Sequence, residues 1–218
     1  MIHVSLALPA WCADDTSSES IRVMYERVVE LPPTMAALDA TPANATLHFE
    51  LTAVVLDSTG WQIEDAHQAI MLALPILAQC AVAAQRVKLV RIATPAAYRD
   101  LSPQASRQLA AHLAPARPAI FFVRNTRMRQ PFEAEAFGLD NTRMRPELVN
   151  TVWVTRSAPD LPETLAHELF HVIANSGAHS EDKTNLMHDQ TAPGRQQLTP
   201  AQCAALRASG QINRLLRD

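Results

Sequence analysis

Apolar and polar positions alternate from Leu47 to Asp57, with Val54, Val55 and Thr52 adding β-branched weight, which predicts a half-buried strand. Asp57, Ser58 and Gly60 then supply a turn, and Trp61 to Ala84 reads as one long helix. Val87 to Ala93 predicts a second strand. Ser102 precedes Pro103 as the start of a surface helix reaching Leu113. The short unbroken apolar run Ala119 to Arg124 and the stretch Thr151 to Thr155 read as further strands, and two helices close the chain from about Pro162 and about Thr199. Strands alternating with helices predict an α/β (α+β) fold: a mixed twisted sheet backed by a long helix, with a small C-terminal helical subdomain.

Composition agrees with a folded globular chain. The 218 residues are 48% hydrophobic and only 19% charged, so a sizeable core can form and wholesale disorder is excluded. Lys plus Arg number 19 against 22 Asp plus Glu, a net charge of -3, which argues against a general nucleic-acid binder or a polybasic membrane-surface protein. The longest apolar run, Ala69 to Ala84, is interrupted by Pro75 and Gln79 and falls short of the roughly 20 residues that cross a bilayer, so no transmembrane segment is expected. Met1 to Ala13 is apolar and ends in small residues but lacks a positive n-region. Residues 1–44 are therefore read as an N-terminal extension, a signal remnant or pro-segment, and 45–218 as one domain.

Three cysteines are present. Cys80 and Cys203 can pair, tying the last helix to the core; the alternative is two buried free thiols. A disulfide would place the protein in an oxidising compartment, secreted or periplasmic. Cys12 is then left over. A short repeat, Asn125-Thr-Arg-Met-Arg129 and Asn141-Thr-Arg-Met-Arg145, gathers arginines that suit solvated loops better than an anion site.

The chemistry concentrates near the C-terminal third, where four of the eight histidines fall between 167 and 188. In His167-Glu168-Leu169-Phe170-His171 the two histidines lie four apart, so on a helix both imidazoles share one face and can reach one metal ion. Glu168 stands about 100° round the helix, able to reach a water on that ion without coordinating the ion itself. Asp160, Pro162 and Glu163 have the spacing of a capping box with proline in the first turn, and Leu165, Leu169, Val172 and Ile173 offer an apolar packing face. Asn175-Ser-Gly177 reads as a helix stop, with Gly177 tolerating the left-handed turn, and His179 follows as a third nitrogen. Glu181, Asp182 and His188 are other candidates for that ligand; His179 directly follows the glycine turn. Three protein ligands with a fourth position open are the arrangement of a catalytic zinc site.

From these residues the chain resembles the metzincin clan of zinc peptidases. His167-Glu-x-x-His171, the glycine turn, His179, and the later Asn185-Leu186-Met187-His188, similar to the clan's methionine turn with Met187, carry the resemblance; Ser180 after His179 is similar to the matrixin branch. The spacing departs from the clan pattern: Ala174 and Gly177 stand where the pattern has its glycine and third histidine, and His179 is eight residues beyond His171. No tyrosine follows Met187.

The resemblance implies a metallopeptidase-like domain over 45–218 with one catalytic Zn2+ on His167, His171 and His179. It implies Glu168 as general base towards a metal-bound water, a peptide or protein substrate, and Met187 packed beneath the site. It also implies that Glu133 to Gly138 forms a cleft-edge strand pairing with substrate, where the residues themselves suit a plain connecting loop equally well. Cys12, or Asp14 and Asp15, could hold such an enzyme latent. The alternative is a catalytically degenerate zinc-binding module that binds peptides or partner proteins. The intact Glu168 speaks against it, because metal binding alone does not need that carboxylate.

Overall fold

The computed structural model describes residues 20–32, 45–126, 134–158 and 160–218. Its elements in chain order are β1 (Arg22–Glu30), β2 (Leu47–Leu56), α1 (Ile63–Ala78), β3 (Val82–Ala93), β4 (Asp100–Leu101), α2 (Pro103–Leu113), β5 (Ala119–Phe122), β6 (Asn125–Thr126), β7 (Ala134–Phe137), β8 (Thr151–Val154), α3 (Leu161–Ala174) and α4 (Pro200–Ile212).

Six strands form one mixed sheet in the order β1-β3-β2-β5-β8-β7, and β4 pairs with β6 alongside it. The inner strands are parallel: β2 with β3, β2 with β5 and β5 with β8. Each outer strand, β1 on β3 and β7 on β8, runs antiparallel. Burial follows the pleat. Ile120, Phe122, Val152 and Val154 face a core shared with α1, α3 and α4, while Phe121 and Trp153 face a second core closed by α2. The apolar runs in β5 and β8 are thus buried on both faces, as parallel strands between helical layers require. The fold is a mixed α/β sheet between helical layers.

Several elements differ from the sequence reading. The long helix stops at Ala78 rather than Ala84, because Ala81 takes a left-handed conformation (φ 53°) and turns the chain into β3, which begins at Val82. Gln79 locks that turn, donating to the carbonyls of Ile76 and Gln196 and accepting from the Leu198 amide. An alanine in the left-handed region leaves no glycine to mark the break. Residues 22–30, set within the N-terminal extension in the sequence reading, form the edge strand β1. Its side chains are exposed on both faces almost throughout, so no burial pattern singles it out.

The Asp160–Glu163 capping box does not form. The Asp160 side chain makes no cap bond, and Glu163 instead accepts from the Gly194 amide at 3.0 Å and from Gln196 Nε2 at 2.8 Å. A capping box does form at α4, between Thr199 and Gln202. Ser102 caps α2 by accepting from the Ala105 amide. Cys80 and Cys203 are joined by a disulfide that ties α4 to the turn after α1. Cys12, Asp14 and Asp15 lie outside the described residues, as does the first Asn-Thr-Arg-Met-Arg copy beyond Thr126. In the second copy Arg145 lies over the Phe137 ring, 4.9 Å from its centroid. Among the described residues no helix is long and apolar enough to cross a membrane.

Candidate metal centre

The site grows from α3. Leu165, Leu169, Val172 and Ile173 are fully buried against the sheet and neighbouring helices, which fixes the helix's rotation about its axis. The opposite face then presents His167 and His171 to an open cleft of about 830 Å³. Asn175, not Gly177, takes the left-handed conformation that ends the helix (φ 48°, ψ 48°). The chain then reverses and brings His179 back over the same face.

The ligand atoms of His167, His171 and His179 all lie within 4.8 Å of one another. His171 Nε2 stands 2.9 Å from His167 Nε2 and 3.3 Å from His179 Nε2. Glu181, Asp182 and His188 do not join the cluster. Asp182 caps its own turn by accepting from the Thr184 amide and hydroxyl, and His188 Nδ1 lies 2.8 Å from Asp189.

The chemistry of the donor set can be read from its second contacts. His167 Nδ1 lies 2.8 Å from the Leu186 carbonyl and His171 Nδ1 lies 2.5 Å from the Ser176 carbonyl. A carbonyl only accepts, so both Nδ1 atoms carry the proton and both Nε2 atoms present bare lone pairs. Two lone pairs facing each other at 2.9 Å repel unless a cation lies between them. Nitrogen ligands at about 2.0–2.1 Å around a tetrahedral zinc stand about 3.3 Å apart, close to the separations seen. The three residues therefore fit a divalent cation, and the carbonyl partners are the kind that orient metal-bound imidazoles.

Electrostatics point the same way. Burial, with lesser help from the neighbouring histidines, lowers His167 and His171 to about 4 each, so both are neutral and able to ligate at pH 7. The Glu168 carboxyl is pushed up to about 8 by burial first and by the like charge of Glu135 second. Without a cation nearby it holds its proton at neutral pH.

Leu186 and Met187 are both 1% exposed, and Met187 sits in a turn closed by the Asn185 side chain accepting from its amide. The Met187 carbonyl accepts from the Ser180 amide at 2.6 Å, joining that turn to the segment after His179. The turn thus also supplies the Leu186 carbonyl that orients His167.

Strand β7 forms one wall of the cleft, with Glu135 on it. Glu133 of the expected edge strand lies outside the described residues. Nothing in the sequence pattern marks Glu135, the Asn175 side chain, or the Ser176 and Leu186 carbonyls as parts of the site. Glu135 lies within the expected edge strand 133–138, but its side depends on the pairing of β7 with β8. No local signal marks a backbone carbonyl as a partner for histidine.

No sequence-family model matches the chain, and no curated protein sequence does. Among solved structures it is similar to metalloproteinase-II from Bacteroides fragilis, with a TM-score of 0.52 and 18% identity. The alignment covers 76% of this chain and 53% of that one, so the chain spans about half the length of this neighbour. At that identity the likeness is one of fold: the mixed α/β architecture described above. Together they define a metalloproteinase-like α/β fold carrying a histidine triad that could hold a metal ion.

Proposed function

We propose that the chain is a zinc-dependent peptidase of metzincin type, holding one zinc ion on His167, His171 and His179. The observation that carries this reading is the convergence of three imidazole nitrogens, two of them with fixed bare lone pairs, beside Glu168 in an open cleft. Zinc, when held there, supplies Lewis acidity toward water and a peptide carbonyl. Glu168 takes a proton of the attacking water on its carboxylate as the water oxygen bonds to the carbonyl carbon, and gives it to the departing amine as the C–N bond breaks, which regenerates the carboxylate. That role requires Glu168 ionised at the start, and a divalent cation nearby lowers its pKa from the value that burial and Glu135 raise. Strand β7 offers its outer edge to an extended peptide, Met187 packs under the triad, and the two-residue shift of His179 is absorbed by the turn at Asn175. The Cys80–Cys203 disulfide supports work in an oxidising compartment, secreted or periplasmic.

The absence of a tyrosine among the cleft-lining residues favours a second reading, a zinc module that binds peptides without cutting them. One experiment separates the two. Elemental analysis is expected to give about one zinc per chain, lost in His171→Ala. Glu168→Gln should keep the zinc and lose about 10²–10⁴-fold in hydrolysis of a peptide library. No zinc uptake would sink both readings, and zinc with no hydrolysis by the unmutated protein would leave the binding module.

A further inference from the structure

We propose that Asn175 is a positioning residue with two separable roles, its side chain anchoring the wall of the cleft and its backbone turn setting the orientation of a metal-ligating imidazole. The proposal rests on the metal-site reading above for its ligand half.

Asn175 acts through two separate parts. Its backbone, left-handed at φ 48° and ψ 48°, turns the chain at the end of α3 and donates to the carbonyls of His171 and Val172. That turn places the next carbonyl, of Ser176, 2.5 Å from His171 Nδ1, while the Ser176 amide donates back to the His171 carbonyl at 3.2 Å. The ring of His171 is thus held by the residue after Asn175. The side chain points across the cleft floor instead. Its Oδ1 accepts from the Leu139 amide at 2.8 Å and the Asp140 amide at 3.3 Å, the first peptide groups beyond the end of β7 and Gly138.

Gly138 leaves the room this contact needs, because a Cβ there would stand 3.0 Å from Asn175 Oδ1. One residue therefore ties β7, the cleft wall, to the helix that carries His167 and His171. Asparagine suits both parts, since its short polar side chain tolerates the left-handed region and supplies an acceptor. Glycine would keep only the turn, alanine would disfavour the turn and lose the acceptor, and aspartate would keep both.

The test uses the full chain with Asn175→Gly, Asn175→Ala and Asn175→Asp. Three readouts are taken: amide hydrogen exchange of the metal-free protein, zinc affinity by chelator competition, and the visible spectrum of the cobalt-loaded form. In Asn175→Gly the Leu139 and Asp140 amides should exchange about tenfold faster, with zinc affinity within about threefold of the unmutated protein. In Asn175→Ala the same acceleration should come with about a 10–100-fold loss of zinc affinity and a shifted cobalt spectrum. Asn175→Asp should restore all three.

Unchanged exchange in Asn175→Gly, or a zinc affinity and cobalt spectrum in Asn175→Ala equal to the unmutated protein's, overturns the proposal. If Asn175→Ala does not fold, Gly138→Ala takes its place. Its close contact is with Oδ1, so it should speed exchange at 139 and 140 while leaving zinc affinity intact; unchanged exchange would again overturn the anchoring role. An unmutated protein that takes up neither zinc nor cobalt overturns the metal-site reading itself. Zinc binding that no Asn175 variant alters overturns only the role of the turn in orienting His171.

Discussion

At the scale of the residue, the site's titrating groups pull stability in opposite directions. His167 and His171 have folded pKa values near 4, below the ordinary 6.5, so between those values the unfolded chain binds protons that the folded chain refuses. Their contribution to stability is lost as pH falls from about 6.5 to about 4. Glu168 is raised from 4.5 to about 8, so the folded chain holds a proton the unfolded chain has released, and its contribution is lost as pH rises through that window. From these three groups the metal-free protein is most stable near pH 6.5. Urea titrations across pH 4–9 check this, and in Glu168→Gln the decline between pH 6.5 and 8 should vanish while the acid limb remains. The same depressed values mean that protons should compete with zinc for His167 and His171 only as the pH falls towards about 4, which zinc titrations across pH would check. These shifts come from burial, which the spacing of His167 and His171 does not encode. The spacing was enough to bring the two rings together; their lowered pKa values needed the surrounding core.

At the scale of the element, α4 braces α3 from behind. Gly210 on α4 packs so closely that a Cβ there would stand 2.5 Å from the Leu216 side chain and 2.8 Å from Cγ2 of Ile173, one of the residues that fixes the rotation of α3. Gly210→Ala should therefore destabilise by about 1–3 kcal/mol, read by chemical denaturation, despite alanine's better helix propensity. The disulfide holds the same helix, α4, to the turn after α1. Cys203→Ser, or a reductant, should cost about 2–5 kcal/mol of stability, measured by thermal unfolding with and without dithiothreitol.

Elements with strong local signals were legible in the sequence. Ser102 before Pro103 starts α2, Thr199 caps α4, and the 3.6-residue apolar period of α3 coincides with its buried face. Less legible were elements decided at a distance. β1 exists because β3 pairs with it, and α1 ends six residues before the apolar stretch does, because Ala81 turns left-handed where Gln79 anchors to the 196–198 segment.

For the whole molecule, the cleft has a sign. Glu135, Asp140 and Asp189 line it, beside the raised Glu168, and no lysine or arginine does among the described lining residues. Among peptides differing only beside the scissile bond, Lys or Arg should lower KM relative to Glu, and the gap should shrink as salt is raised. The near-neutral net charge of -3 gave no hint of this, because basic residues elsewhere, such as Arg86, Lys88 and Arg91 on β3, enter the same total far from the cleft.

The bond between Cys80 and Cys203 closes a covalent ring of sequence separation 123, and every residue lining the cleft, from Ala134 to Thr191, lies inside it. A backbone cut within that ring, for instance in the exposed run Glu181 to Thr184, does not release a fragment. The nicked protein remains a single particle of full mass until it is reduced. Such a chain can be clipped by a protease in its surroundings without shedding any part of the histidine cleft.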